Sequence, residues 1–168
     1  ALRGELGAIT TPPAKGIFIA FEGGEGSGKS TQTKLLKEWL EKQDRSVILT
    51  REPGGTELGN NLRKILLANE TGNISPRAEA LMYAADRAHH VFTLIRPALH
   101  RGDIVITDRY FDSSIAYQGA GRILDSNEVG RISRWATESL IPTLTFILDQ
   151  DPVIGLKRIK NSDRLESE

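Results

Sequence analysis

One short stretch offers the clearest chemistry in this sequence. Gly23 to Ser30 read GGEGSGKS and match the phosphate-loop pattern G-x-x-x-x-G-K-[ST]. Glycines let the backbone adopt conformations in which successive N–H groups point inward and surround phosphate oxygens. In such a loop Lys29 can reach the β- and γ-phosphates, and the hydroxyl of Ser30 can bind Mg²⁺. The motif therefore predicts binding of a nucleoside triphosphate.

The segments on either side of this loop have the patterns that the motif requires. Residues 17–21 form a short apolar run that predicts a buried strand. From residue 31 to 43, apolar residues recur on one helical face: Leu35, Leu36, Trp39 and Leu40. A helix that begins directly after the loop presents its positive N-terminal end to the bound phosphates.

The rest of the chain alternates between strand and helix patterns. Further strands are predicted at 45–50, 103–108 and 143–148. Helices are predicted at 57–69, at 126–140, at 151–160, weakly at 113–118, and from Ser75-Pro76 to about Leu94, with Pro97 able to kink or end the last of these. This alternation predicts an α/β fold, a parallel sheet of the P-loop type with helices on both faces.

Three polar clusters each follow a predicted strand, at 23–30, 51–56 and 108–114. The carboxyl ends of parallel strands meet at one edge of the sheet, where open α/β sheets bind their ligands. The clusters are therefore expected to converge on one crevice.

A phosphate loop alone does not separate a kinase from a GTPase or a motor. The N-K-x-D pattern of guanine recognition does not occur in this sequence. Arginines are predicted around the crevice instead, at Arg51, Arg109, Arg158 and Arg164. Because two anionic substrates repel each other, a small-molecule kinase needs such cations to bring them together.

Composition limits the remaining possibilities. The 168 residues suggest one domain, and 22 basic residues balance 22 acidic ones, so no overall basic field favours nucleic acid as a partner. The absence of cysteine excludes disulfides and fits a cytoplasmic protein. No apolar run reaches the roughly 18 residues of a membrane span.

Several motifs together resemble the thymidylate kinase family. They are Phe21-Glu22-Gly23 before the phosphate loop, then Thr50-Arg51-Glu52-Pro53-Gly54-Gly55-Thr56, Thr107-Asp108-Arg109-Tyr110 and Ala116-Tyr117-Gln118-Gly119. The resemblance extends from about residue 16 to the end of the sequence. It implies a cytoplasmic, homodimeric enzyme that transfers the γ-phosphoryl group of ATP to dTMP, giving dTDP and ADP for dTTP synthesis, with Mg²⁺.

The resemblance also implies roles for individual residues. Arg109 would grip the acceptor phosphate with help from Arg51, Asp108 would act with Ser30 on Mg²⁺ and its waters, and Glu25 would contact the sugar 3′-hydroxyl. The residues expected to hold ATP are Gly23, Gly24, Glu25, Gly26, Ser27, Gly28, Lys29, Ser30 and Thr31.

For the thymine base, the resemblance implies a second group of residues. Tyr83 would stack on the ring and Arg87, four residues further along the same helix, would bond its carbonyl. Ser114 would lie near the base N3, and Tyr117 would lie beneath the deoxyribose.

Some members of the family carry the transition-state arginine in the phosphate loop, and others carry basic residues in a lid over ATP. Here the loop position is Gly26, and a lid-like run occupies about 157–166 with Arg158, Lys160 and Arg164. The resemblance therefore implies the second, bacterial-like arrangement. Residues 1–16 are expected to be a disordered extension and 17–168 a kinase domain without the helix and strand that usually follow the lid.

Other interpretations stay open at this stage. The chain could be another deoxynucleotide kinase, or a nucleotide-binding module without turnover. Tyr83 could be ordinary core, Arg87 a solvated surface arginine, Glu25 a counter-charge for Lys29, and Asp108-Arg109 a structural ion pair. The basic lid run could be a solvated helix end, and Trp39 and Trp135 are expected at the edge of the core.

Overall fold

The computed structural model describes residues 16–68, 71–114 and 124–158. Its centre is a four-stranded sheet made of β1 (Ile17–Gly23), β2 (Val47–Arg51), β3 (Ile104–Asp108) and β4 (Leu144–Leu148). The strands lie in the order β2-β3-β1-β4, and all paired neighbours run parallel. The parallel α/β fold predicted from the sequence is confirmed.

Helices connect the strands, because parallel neighbours need crossover connections. The helices are α1 (Lys29–Glu41), α2 (Glu57–Leu67), α3 (Pro76–His90), α4 (Arg96–Arg101), α5 (Phe111–Ser114), α6 (Ser126–Ala136) and α7 (Pro152–Lys157). None of the helices in the described part of the chain is long and apolar enough to cross a membrane.

The two faces of the sheet are covered by different helices. On one face, Phe18 and Ala20 of β1 pack against Ile95, Ala98 and Leu99 in the region of α4. On the other face, the alternate β1 residues Ile19 and Phe21 pack against apolar side chains that include Leu36 and Leu40 of α1. Since successive side chains of a strand point to opposite faces, this alternation confirms that helices lie on both sides.

The helical run that begins at Pro76 continues past Leu94, and Pro97 does not end it. A π-helical turn, Val91–Ile95, joins α3 to α4, and Pro97 lies in the first turn of α4. Proline is tolerated in a first helical turn because the backbone N–H that it lacks has no intrahelical acceptor there. The helical run ends at Gly102, whose φ of 92° is left-handed and suits glycine.

Two helix boundaries also differ from the sequence prediction. The side chain of Asp125 caps α6 by accepting the N–H of Asn127 at 2.7 Å. This helix ends at Ala136 instead of about residue 140, since Glu138 and Ser139 have positive φ values. Helix α7 ends at Lys157 instead of residue 160.

The two tryptophans are more exposed than predicted. Trp39 is 59% exposed and Trp135 is 81% exposed, so the prediction that they lie at the edge of the core is wrong for this chain. Helical periodicity does not report which face a neighbouring element covers. Residues 1–15 lie outside the described part of the chain, so the predicted disorder of the N-terminal extension stays a prediction.

Candidate active site

A cavity of about 460 Å³ lies at the carboxyl ends of β1, β2 and β3. Side chains and backbone from the phosphate loop, from the ends of β2 and β3, from α2 and from α7 surround it. The lining residues are Glu25, Gly26, Gly28, Lys29, Ser30, Thr31, Arg51, Glu52, Arg63, Asp108, Arg109 and Arg158. The three polar clusters therefore meet in one crevice, as the order of strands and loops along the sequence predicts.

The phosphate loop joins β1 to α1 in a strand–loop–helix unit. Gly28, the N-cap of α1, has a φ of 95°, a left-handed conformation that glycine adopts without the steric penalty of a side chain. Lys29 follows directly and is buried, with its ammonium group donating to the carbonyls of Gly23 at 2.9 Å and Gly24 at 2.7 Å. Burial and then the charge of Arg109 lower the pKa of Lys29.

Ser30 and Asp108 face each other across the floor of the cavity. Asp108 ends β3, next to β1 in the sheet, so its carboxylate lies beside the start of α1. The Ser30 hydroxyl donates to Oδ2 of Asp108 at 2.7 Å. Two oxygen-bearing side chains predicted to act on Mg²⁺ are thus adjacent.

Arg109 follows Asp108 with a left-handed backbone, at a φ of 70°. Its guanidinium donates to the Ser113 hydroxyl at 3.0 Å and forms an ion pair with Glu25 of the phosphate loop. The arginine therefore joins the end of β3 to the loop after β1, and it lies in the same lining as Lys29.

Glu52 is a lining residue to which sequence reasoning assigned no role. Its buried carboxylate accepts from Nε of Arg87 at 2.6 Å and lies 3.0 Å from Nδ1 of His90. Burial alone would raise the pKa of Glu52, but the Arg87 charge and the His90 hydrogen bond hold it below the ordinary value. Thr50 completes the cluster, with its hydroxyl 2.7 Å from Nε2 of His90.

Arg63 is a second lining residue that the sequence did not reveal. Its guanidinium donates to the carbonyl of Pro53 at 3.1 Å, which ties α2 to the loop after β2. No local motif surrounds Arg63, and only its nearness to that loop in three dimensions identifies it. Glu52, in contrast, lies inside the Thr50–Thr56 motif, and that motif could have identified it as a residue of the site.

Tyr83 and Arg87 of α3 are both buried, at 7% and 1% exposure, and lie outside the lining of this cavity. Besides Glu52, the Arg87 guanidinium donates to the Ser133 hydroxyl at 3.1 Å and to the carbonyl of Tyr110 at 3.2 Å. The alternative of a solvated surface arginine is therefore wrong for Arg87. Its contact with a base stays a prediction.

Four predicted residues remain, and the structure describes them to different extents. Arg158 is exposed, lines the cavity and donates to the Gly26 carbonyl at 3.2 Å. Ser114 ends α5, and its side chain is outside the described structure. Tyr117 and Arg164 lie outside the described residues, together with the predicted lid beyond Arg158.

Helix α3 also holds the loop after β2 through Asp86. The fully buried carboxylate accepts the N–H of Gly54 with its two oxygens, at 3.2 and 3.3 Å. Burial, and then the charge of Glu52, raise the pKa of Asp86 to about 7 from an ordinary value of 3.8. The folded protein therefore keeps a proton that the unfolded chain releases at lower pH.

Asp86→Asn is expected to change how stability depends on pH. Because the folded-state pKa is raised, the wild-type free energy of unfolding should fall as pH rises from about 4 to about 7, by at most about 1.4 kcal/mol per pH unit, and then level off. The variant has no such proton to release, so its free energy of unfolding should not show this fall. The difference in stability between the two proteins should therefore shift in favour of the variant as pH rises through this window. Urea unfolding between about pH 5 and about pH 8 measures the difference, and parallel curves would contradict it.

Phosphate-loop kinases combine such a loop with basic side chains around the transferred phosphoryl group, and this chain belongs to that class by both fold and site. The family model for thymidylate kinase matches residues 21–168. This chain belongs to the thymidylate kinase family.

Similar proteins agree with this assignment. Thymidylate kinase from Clavibacter sepedonicus is 56% identical over 157 residues, which are 91% of this chain and 74% of that protein. The enzyme from Bifidobacterium longum (strain DJO10A) is 53% identical over 156 residues, 90% of this chain and 76% of the relative. A crystal structure of thymidylate kinase from Ehrlichia chaffeensis aligns with a TM-score of 0.76 at 38% identity, covering 85% of this chain and 81% of that one. The predicted reaction, ATP-dependent phosphorylation of dTMP to dTDP, is confirmed.

Proposed function

We propose that the residues around the cavity carry the phosphoryl transfer from ATP to dTMP, as part of dTTP synthesis. The observation that supports this most directly is the gathering of Lys29, Arg51, Arg109 and Arg158 in one lining, beside the Ser30–Asp108 pair. Two anionic substrates must approach each other here, and these positive side chains offset their repulsion. One well-oriented arginine contributes about 10³–10⁵ to the rate in such reactions.

The donor side of the cavity is assigned to the phosphate loop. Backbone N–H groups of residues 23–31 bind the phosphates of ATP, at the N-terminal end of α1. Lys29 contacts the β- and γ-phosphates by moving its ammonium group from the loop carbonyls that it now contacts. Its lowered pKa reflects burial, a setting in which a cation attracts phosphate more strongly than it does in water.

Mg²⁺ fits the pair formed by Ser30 and Asp108. Both side chains offer oxygen atoms, and they lie 2.7 Å apart at the cavity. Mg²⁺ prefers oxygen ligands and commonly uses few protein groups, with waters and substrate phosphates completing its coordination. When bound, the ion would neutralise charge on the transferred phosphates, while Ser30 and Asp108 would set its position.

The acceptor side is assigned to Arg109 and Arg51, which grip the phosphate of dTMP, and to Glu25, which contacts the 3′-hydroxyl. Arg109 and Glu25 already form an ion pair, so both groups lie within reach of one small substrate. For the base, we assign stacking to Tyr83, the carbonyl contact to Arg87, and supporting contacts to Ser114 and Tyr117. Arg87 is linked to the cavity through Glu52, which supports a pocket on this side.

Arg158 is assigned to a lid that covers ATP, together with Arg164. Its present contact with the Gly26 carbonyl is an exposed hydrogen bond, which a bound phosphate can replace. Arg158→Ala should therefore lower kcat by about 10-fold to about 100-fold while raising the KM for ATP less. Steady-state kinetics with varied ATP separate the two effects, and an unchanged kcat would remove this residue from the mechanism.

We further assign a homodimer and a cytoplasmic location. Leu81 on α3 and Phe92 on the following π-helical turn are 57% and 73% exposed, and such apolar side chains favour contact with a second copy through these helices. A monomer in sedimentation equilibrium would contradict the dimer. The lack of cysteine accords with a reducing compartment, and recovery in the membrane or external fraction of cells would contradict the location.

A coupled ADP-release assay tests the proposal. The protein is supplied with ATP and each deoxynucleoside or ribonucleoside monophosphate in turn, with Mg²⁺ or with a chelator. We expect turnover to favour dTMP and to stop when the chelator removes Mg²⁺. Turnover that favours another acceptor would contradict the assigned base pocket, and turnover that survives chelation would contradict the metal site.

A further inference from the structure

A buried carboxylate, Glu22, has no part in the mechanism described so far. It lies in β1 directly before the phosphate loop and is 4% exposed. One carboxylate oxygen accepts the backbone N–H of Tyr110 at 2.9 Å, and the other accepts the hydroxyl of Ser113. Both partners lie just after Arg109, on the segment that leads from β3 into α5. Glu22 therefore holds the part of the chain that presents this arginine.

The backbone at Arg109 needs such support. A non-glycine residue at a φ of 70° is held in a strained conformation, and strain of this kind persists only where surrounding contacts enforce it. The N–H of Arg109 donates to the carbonyl of Phe21 at 2.9 Å, and the Arg109 carbonyl accepts the hydroxyl of Thr107 at 2.8 Å. The contact from Tyr110 to Glu22 fixes the next peptide. Two adjacent residues of β1, Phe21 and Glu22, thus accept the backbone N–H groups of two adjacent residues, Arg109 and Tyr110.

The hydroxyl of Ser113 connects the side chain of Arg109 to the carboxylate of Glu22. A guanidinium group can only donate hydrogen bonds and an ionised carboxylate can only accept them. The hydroxyl between them must therefore accept from Arg109, at 3.0 Å, and donate to Glu22. Because a hydroxyl has one proton, commitment of that proton to Glu22 turns the oxygen lone pairs toward Arg109.

We propose that Glu22 is the positioning residue for Arg109, acting on its backbone through Tyr110 and on its guanidinium through Ser113. The proposal rests on the proposed role of Arg109 at the acceptor phosphate. It gives a role to a carboxylate that lies in a buried position, where burial raises the pKa of Glu22. A buried charge contributes little to stability. The Glu22 carboxylate can only accept hydrogen bonds, however, so it fixes the direction of the bonds from both Tyr110 and Ser113.

Glutamine is the informative replacement. In Glu22→Gln the amide oxygen can still accept from Tyr110, but the amide NH₂ donates toward Ser113, so the hydroxyl loses its acceptor and no longer has a fixed orientation toward Arg109. We expect kcat/KM for dTMP to fall about ten-fold, while the KM for ATP changes less than about two-fold and the Tm is held or rises. Ser113→Ala should lower kcat/KM by a similar factor, and Ser113→Thr, which keeps the hydroxyl, should restore most of it.

A double-mutant cycle tests the relay itself. If Glu22 acts through Ser113, the combined Glu22→Gln and Ser113→Ala variant should lose little more than the worse single variant. Losses that multiply would overturn the relay. Glu38→Gln is the matched control, because it makes the same change from carboxylate to amide at an exposed position on α1, and it should stay within about two-fold of the wild type.

The outcomes distinguish this inference from the function that it rests on. If Arg109→Ala is inactive and Glu22→Gln is fully active, Arg109 keeps its role and the positioning role of Glu22 is wrong. If Glu22→Gln loses Tm, ATP affinity and turnover together, Glu22 is only a structural residue and the inference is also overturned. If Arg109→Ala itself is fully active, the assignment of Arg109 to the acceptor phosphate fails.

Discussion

Replacement of Arg109 by alanine is expected to lower kcat for dTMP phosphorylation by about 10³–10⁵-fold, the largest effect of any single change at this site. The guanidinium lies in the cavity lining between the phosphate loop and α5, where it contacts Glu25 and Ser113. From there it can stabilise the negative charge on the acceptor phosphate while the phosphoryl group is transferred. Because this stabilisation belongs mainly to the transition state, kcat should fall far more than the affinity for either substrate.

Arg109→Lys is the matched variant for this prediction. Lysine keeps the positive charge but lacks the planar fork that can donate to two groups at once, such as Ser113 and a phosphate oxygen. Its kcat should lie between those of the wild type and the alanine variant. Single-turnover kinetics with saturating ATP and dTMP make the measurement, and Tm shows that each variant folds. A rise confined to the KM for dTMP in steady-state kinetics, with kcat unchanged, would show that Arg109 binds substrate without stabilising the transition state.

Lys29→Met should lower kcat by about 10²–10³-fold and also weaken ATP binding. Lys29 is the buried ammonium group at the start of α1, 2.7 Å from the carbonyl of Gly24. Methionine fills similar space without the charge, so the loop loses its cation while the local packing is largely kept. Both the ground state and the transition state carry negative charge on the phosphates, which is why binding and turnover should fall together.

Lys34→Ala controls for general charge effects on the same helix. Its side chain is exposed on α1, one turn beyond the loop, and its removal should leave kcat and ATP affinity within about two-fold of the wild type. Isothermal titration with ATP and the ADP-release assay test both lysine variants. Wild-type turnover in Lys29→Met would contradict the phosphate-loop mechanism for this chain.

The local chemistry could be predicted from the sequence because the residues that make it are contiguous. The phosphate loop needs glycines and a lysine at fixed spacing, and the strand and helix beside it have their own periodicities. The convergence of three loops also followed from local patterns, since strands that alternate with helices must run parallel and end at one edge. The family could be predicted for the same reason, because its motifs are short and occur in order.

Partnerships between distant residues were decided only by the tertiary structure. Glu25 pairs with Arg109, 84 positions away, and Glu22 meets Ser113 across 91 positions. Nothing in either local pattern selects those partners, because hydrogen bonds between elements depend on distances that exist only after β1 and β3 become neighbours. Arg63 belongs with these residues, since α2 brings it to the cavity without any motif.

Burial was also decided by the fold. Arg87 reads as a charged residue on a helix, yet it is 1% exposed because Glu52, Ser133 and the Tyr110 carbonyl satisfy its donors. Trp39 reads as part of an apolar stripe, yet it is 59% exposed because the sheet covers only part of that stripe. Residue types and spacing determined which chemistry this chain can carry, and the packing of its elements decided which side chains reach one another, because desolvation and hydrogen bonding act on distances in space rather than along the sequence.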